Sequence, residues 1–394
     1  MGVKAELINI YDRPIQFDKK LGIIRNGVDN LYSERIERYI NNSVTAKAAS
    51  IIMSNYILGK GFGNSNDIVV GKDTLFRFST KILRNLVKHR GVFIHINYNA
   101  NYKINSFDVL PYTHCRLGKK DDEKYNGKIA VSSKFSHKDL NINDISFFNV
   151  FNPNEKVIKS QVENEGGWSQ YKGQILFYNL DFEFDYPLST IDAVKYDCDS
   201  EHQASLYKNT SLRNGFFGKT IVVTEQLVDD FENYQNDEKG AELYLQDKSD
   251  AEKFNDSIKS FLGAENSAKV LHVQLDPKNP DATLEQAIRF ESVSSNIDDK
   301  MFEYTENSSF RNILMAFNNL PSQLIRSENE LFGNSGESIK QMRVTYQNNV
   351  NNERKEFLNL LNLLFENYKD EVSLEHELLF NENELKNDTV NNEI

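Results

Sequence analysis

The sequence predicts an α+β protein built around long helices, with a small α/β module inserted between two of them. Three observations point that way. Segments 92–98, 106–110 and 128–131 alternate like short antiparallel strands and follow a capped helix in the first half of the chain. A polar stretch of roughly 27 residues from Pro187 reads as one helix, because proline suits a first helical turn and Asn214-Gly215 is a stop signal. Within 292–370, finally, two helix-like segments flank a break that neither could absorb.

Composition sets the class. The chain has 394 residues, 39% hydrophobic and 26% charged, which is enough to bury a core in two or three domains. Two cysteines, Cys115 and Cys198, cannot make a disulfide framework, and MGVKAELINIYDRPIQF carries no apolar run of the secretory kind, so an intracellular protein is expected. No window approaches the length of a membrane span, and no membrane partner is expected. The net charge of −12 is uneven: segment 225–256 holds 11 acids and 3 bases (−8), and 370–394 holds 8 acids and 1 base (−7). The remainder is therefore +3, which is no basic field for gripping phosphates. Any DNA partner would be guided and not held.

In chain order, NGVDNLYSERIERYI opens with a turn signal and leads to a helix over 44–57 with Ser43 placed to cap it. Asp73 is expected to cap the next helix, running to about Lys88. Further strands are expected at 145–151 and 174–180, with Glu165-Gly166-Gly167 as a loop between them and Trp168 in a packing role. The long helix from Pro187 has a thin apolar set (Leu188, Ile191, Val194, Cys198, Leu206, Leu212), as expected of a helix that packs on copies of itself or spans domains. A strand at 220–223, an acidic helical stretch, a helix near 254–262 and a strand at 269–275 make the inserted module. A helix over 293–317 follows, with Ile297, Met301, Tyr304, Ser308, Arg311 and Met315 on a narrow stripe. Asn318-Asn319-Leu320-Pro321 stops it, since proline lacks the donor and biases Leu320 away from helical dihedrals. From Asn334, a potential cap answered by Glu337, a second helix should run to about Lys369 with Ile339, Met342, Tyr346, Val350, Phe357, Leu361, Leu364 and Tyr368 on one face over roughly 50 Å. Beyond Asp370 the acidic, Asn-rich chain predicts a poorly ordered tail, in which Leu374, Leu378 and Leu379 could extend a short helix.

The chemistry-bearing residues do not assemble into an active site. Leu58-Gly59-Lys60-Gly61-Phe62-Gly63 follows a helix where a phosphate loop opens one, and Gly218-Lys219-Thr220 lies between a helix and a strand in the reverse of the order phosphate cradling needs. Cys198 and His202 share a helix face, but no second ligand pair accompanies them, and His114-Cys115 lacks an oriented base. The acid clusters at Asp229-Asp230 and Asp237-Glu238 read as solvated faces. No enzyme activity, cofactor or metal is expected.

Three stretches in this order, NGVDNLYSERIERYI with VTAKAASIIMSNYILGKGF, then YPLSTIDAVKYDCDSEHQASLYKNTSLRNGFFGKTIVV, then NNLPSQLIRSENELFGNSGESIKQMRVTYQNNV, give the chain its resemblance to tailed-bacteriophage portal proteins, the head-to-tail connector rings. The resemblance covers roughly residues 26–369. It implies a ring, usually of twelve subunits, at one capsid vertex of the virion, assembled in the host cytoplasm, through which double-stranded DNA is packaged and ejected. It also implies partners: the large terminase subunit, the major capsid protein and a head-completion adaptor. By position, 1–186 would form the N-terminal wing, 187–215 the first stem helix, 216–291 the clip and 292–317 the second stem helix. Residues 318–335 would be the tunnel loop, 336–369 a long wing helix, and 370–394 a reduced crown or disordered tail. The DNA-facing residues would then be Leu320, Pro321, Gln323, Leu324, Ile325, Arg326 and Glu328. Twelve copies at −12 each would carry a formal −144, and an acid-lined tunnel repels a duplex carrying one charge per roughly 1.7 Å. The competing classes are another virion structural protein, such as an adaptor or minor capsid subunit, and a nucleic-acid enzyme whose carboxylates bind metal.

Overall fold

The structure is a computed structural model that describes residues 17–119, 123–137, 139–181, 183–213, 220–225, 270–275, 288–292, 299–325 and 336–380. The chain divides into two compact units: one comprises Met1–Cys198 and Phe310–Ile394, the other Asp199–Ser309. The described elements mix helices and sheets, as the sequence predicts.

The first unit begins with a short antiparallel pair, β1 Phe17–Asp18 and β2 Ile23–Ile24. Helices α1 Tyr32–Asn42 and α2 Val44–Leu58 are separated by one extended residue, Ser43, whose hydroxyl accepts from the Ala46 N–H at 3.0 Å. The expected cap is therefore present. Helix α3 Leu75–His89 is capped by Thr74 and not by Asp73, whose carboxylate instead pairs with Arg77 and Lys81 along the helix. Arg90, at φ 55, turns the chain directly into the sheet.

That sheet has six strands, β3 Gly91–Tyr98, β4 Ile104–Leu110, β5 Cys115–Leu117, β6 Lys128–Val131, β7 Ser146–Val150 and β8 Gln174–Asn179, in the order β4-β3-β8-β7-β6-β5. All pairings are antiparallel except β7 with β8. A parallel pair needs a crossover, and helix α4 Glu155–Asn164 supplies it. Only Ile158 and Val162 of α4 are buried, too faint a period to register in the sequence, so the 155–164 helix is an addition to the expected elements. Strand β3 shows how the sheet divides the core. Val92, Ile94 and Ile96 face a large cluster with α1, α2 and α3, whereas Phe93 faces a smaller one with Tyr112, Cys115, Ile129, Ile175 and Tyr186.

Arg116 on β5 is fully buried and holds the chain entry to α1. Its Nε donates to Asn30 Oδ1 at 2.6 Å and its Nη2 to Asn30 O at 2.7 Å and Glu34 Oε1 at 3.0 Å, while Nη1 donates to the Thr113 and Cys115 carbonyls. The Phe135 ring lies 4.7 Å below the guanidinium. Burying a cation is costly unless its donors are answered, and all five N–H donors of Arg116 are. The Asn30 and Glu34 of NGVDNLYSERIERYI thus form a receptor for Arg116.

After β8 the chain does not enter a helix at Pro187. Ser189 Oγ donates to Lys88 O and Thr190 Oγ1 to Val87 O, so both hydroxyls answer orphan carbonyls at the end of α3. A 3-10 turn follows at Asp192–Val194, and α5 spans Lys195–Arg213. Helix α6 is Asp299–Ala316; the part of its expected span at 293–298 lies outside the described residues. The single helix expected over 336–369 is two, α7 Gly336–Asn349 and α8 Asn351–Phe365, broken at Val350 (φ −93, ψ 13). The apolar face persists through the break: Tyr346, Val350, Phe357, Leu361 and Leu364 are all buried. The proposed Asn334 cap lies outside the described residues.

The tail differs most from expectation. Residues 370–380 form no helix; the Leu374, Leu379 and Phe380 side chains pack on the main core. Glu377 pairs with Gly61 through two backbone hydrogen bonds, Lys60 N to Glu377 O at 2.8 Å and Glu377 N to Gly61 O at 2.9 Å. Residues 381–394 lie outside the description.

In the second unit, β9 Thr220–Glu225 is central, parallel to β10 Val270–Leu275 and antiparallel to β11 Ile288–Ser292. The first two strands were expected and the third was not. The acidic stretch and the 254–262 helix lie outside the described residues. Lys208 on α5 pairs with Glu306 on α6 within this unit.

Two stability tests follow from this packing. Replacing Arg116 with Met leaves the Asn30 and Glu34 acceptors unanswered, and urea denaturation should show a loss of about 3 kcal/mol. His89 is buried, with its ring 4.3 Å from Tyr112 in parallel stacking and its Nε2 3.3 Å from Glu37 Oε1. Burial pushes its pKa below the ordinary 6.5, so the folded state takes up this proton later than the unfolded chain does. Stability is then full above about pH 6.5 and falls as pH drops below it, and His89→Gln should flatten that slope in pH-dependent denaturation.

Candidate functional site

Helix α6 enters the core through Phe310, Ile313, Leu314 and Phe317, while Met315 on its other side is 65% exposed. It ends because Asn318 and Asn319 both adopt left-handed dihedrals (φ 56 and 53), which asparagine tolerates better than most side chains. Leu320 N then reaches back to Leu314 O at 3.0 Å and Asn319 N to Met315 O at 3.3 Å, satisfying the last carbonyls of the helix. Pro321, at φ −61, opens a 3-10 turn, Ser322–Leu324.

This exit is fastened to α7. Asn318 Nδ2 donates to Asn349 O and Asn349 Nδ2 to Asn318 O, each at 3.3 Å, and the buried Tyr346 hydroxyl donates to Phe317 O at 3.1 Å. Burial holds the Tyr346 phenol far above its ordinary pKa, so it stays protonated as a donor. Beyond Val350, Arg354 Nη2 donates to Gln347 O and Tyr56 O, both at 3.0 Å. Burial pulls the Arg354 guanidinium below its ordinary value, against the opposing pull of Glu353.

The proposed loop residues therefore fall into three groups. Leu320 is only 3% exposed, so its side chain belongs to the core and anchors the base of the loop. Pro321, Gln323, Leu324 and Ile325 are half-buried, the last two leaning on the main core. Arg326 and Glu328 lie outside the described residues.

Other chemistry-bearing residues have structural settings. Cys115 is buried, which pushes its thiol far above the ordinary range, and Cys198 is buried in the main core. The glycines at 59 and 61, with φ 63 and 87, allow close approach: a Cβ on Gly59 would lie 2.1 Å from Glu377 O, and one on Gly61 2.2 Å from Asn66 Oδ1. They form a notch for the chain's own C-terminal segment. Trp168, 38% exposed, lies against Tyr102 and Tyr171 at ring distances of 5.3 and 5.9 Å. Among the described residues no group of three or more His, Cys, Asp or Glu side chains is placed to hold a metal, and no helix is long and apolar enough to cross a membrane.

No family model matches the chain, and no curated protein does. Among solved structures, the neck of an empty gene transfer agent particle is similar over 91% of this chain and 87% of that one, at 11% identity and a TM-score of 0.44. The neck of the native particle covers 78% and 74%, at 11% identity and 0.38. An HK97-family phage portal protein from Corynebacterium diphtheriae covers 78% and 83%, at 9% identity and 0.35. The structures that the chain is similar to are thus neck and portal components, at scores that assign no residue a role here.

The anchor at Leu320 is testable. Leu320→Ala empties a packed position and should cost about 2–4 kcal/mol by urea denaturation, whereas Gln323→Ala, half-exposed, should change stability by less than about 0.5 kcal/mol.

Proposed function

We propose that the chain is a portal-type subunit of a phage-like virion, assembling with copies of itself into a ring around a DNA conduit at one capsid vertex. The observation that carries the reading is the order of elements. Helix α5 leads out of the first unit, an inserted module containing β9, β10 and β11 follows, α6 leads back, and a loop with a firmly fastened base comes next. The three sequence stretches that resemble portal proteins fall on the α1 and α2 region, on α5 with β9, and on the α6 exit with α7.

Exposure adds support from the helices themselves. Tyr196 on α5 is 71% exposed and Met315 on α6 is 65% exposed, two large side chains that a neighbouring copy would cover in such a ring. Heterologous contacts of this sort close into a ring when the rotation between copies allows it. In this reading 1–186 is wing, 187–215 and 292–317 are stem, 216–291 is clip, and 336–369 is the broken wing helix. The loop between Ser322 and Ser335, with Arg326 and Glu328, meets passing DNA while Leu320 fixes its root. Terminase, the major capsid protein and a head-completion adaptor dock on the ring, and packaging energy comes from the terminase.

Two experiments bear on this. Replacing 323–330 with a Gly/Ser linker spares Leu320, so rings should still assemble while packaging or retention of DNA falls; normal packaging, or failure of the ring, would count against the loop's role. The isolated ring should also hydrolyse no ATP, and turnover abolished by Lys219→Ala would overturn the non-enzymatic assignment.

A further inference from the structure

We propose that residues 372–380 are a detachable latch whose docking sets how tightly the root of the 318–325 loop is held. The inference goes beyond the portal reading and does not depend on it, because it uses only contacts within the first unit.

The docked segment reaches α7 at Gln347 and Arg343. Gln347 Nε2 donates to Phe380 O at 2.9 Å, and Phe380 N donates to Gln347 Oε1 at 3.0 Å, so one side chain answers both backbone groups of Phe380 as a neighbouring strand would. The Phe380 ring lies 6.0 Å from Tyr56 and 5.7 Å from the Arg343 guanidinium. Tyr56 in turn meets Tyr346 edge-on at 4.9 Å, and Tyr346 is the residue that holds Phe317 O. The turn of α7 at 346–349 therefore carries both attachments: Gln347 grips the tail, and Tyr346 with Asn349 grips the loop root. Arg354 completes the connection by joining Gln347 O to Tyr56 O across the Val350 break.

The segment is built to detach. Its upstream hold combines backbone pairing in the glycine notch, His376 Nε2 2.8 Å from Leu58 O, and peripheral packing of Val372 and Leu374. Asp370, Glu371, Ser373, Glu375 and Glu377 are exposed, and the side chains that do pack on the core, Val372, Leu374, Leu379 and Phe380, are only partly buried. Such marginal elements open locally at a lower cost than the core. When the tail leaves, Gln347 loses two hydrogen bonds and Tyr56 loses a ring neighbour. The α7 turn is then less constrained, and the loop root shares that loss. Coupling of this kind is reciprocal, so loosening the root should loosen the tail.

Hydrogen exchange of the full-length protein tests both directions. Phe380→Ala should raise exchange about tenfold at the Lys60 and Glu377 amides and also at Leu320, Leu324 and Ile325, with the β3 and β8 amides unchanged. Tyr346→Phe, which removes only the hydroxyl at the root, should raise the same two sets. Loosening of only the mutated side, no loosening in either variant, or a uniform rise that includes β3 and β8 would each overturn the latch.

Discussion

Much of the first unit depends on how the break at Val350 is held. A helix interruption leaves carbonyls without partners, and here Arg354 answers Gln347 O while also reaching Tyr56 O on α2. That places a cation in the core which, among the described residues, has neither a carboxylate in ion-pair contact nor a partner for its Nε. Two carbonyls take both Nη2 donors and Asn351 Oδ1 takes one of the Nη1 pair, which offsets part of the cost of burial. Around this point the end of α2, the tail, the exit of α6 and the turn of α7 are joined by named contacts. A one-residue interruption thus gives the fold the junction from which the loop base is positioned.

A second buried cation, Arg116, does the same for the N-terminal half, tying Asn30 and Glu34 to the end strand of the sheet. Both arginines serve geometry more than raw stability, since replacing a buried cation together with its partners by well-packed apolar residues costs little, whereas removing one partner alone leaves the others unmet.

How much was legible in the sequence follows from the range of the interactions involved. The Ser43 cap, the strands at 92–98, 106–110 and 128–131 and the first two strands of the inserted module are legible because their determinants lie within a few residues of one another. The start of α5 is not, because the Pro187 preference lost to hydroxyls of Ser189 and Thr190 bonding α3 a hundred residues away in sequence. Periodicity saw through the Val350 break, since an apolar face kept on both sides hides a single non-helical residue. Composition misleads at 370–380: the acids there are exposed, but Leu374, Leu379 and Phe380 find the core, and the partner of Glu377 is Gly61, far away in the sequence. Leu320 was legible as apolar and as helix-ending, while its inward direction is set by the two left-handed asparagines before it.

Electron microscopy of the purified protein bears most directly on the account's central claim. Class averages should show rings of uniform subunit number with an axial hole wide enough for duplex DNA. Particles that remain single subunits or closed two-fold dimers across a wide range of protein concentration would contradict it.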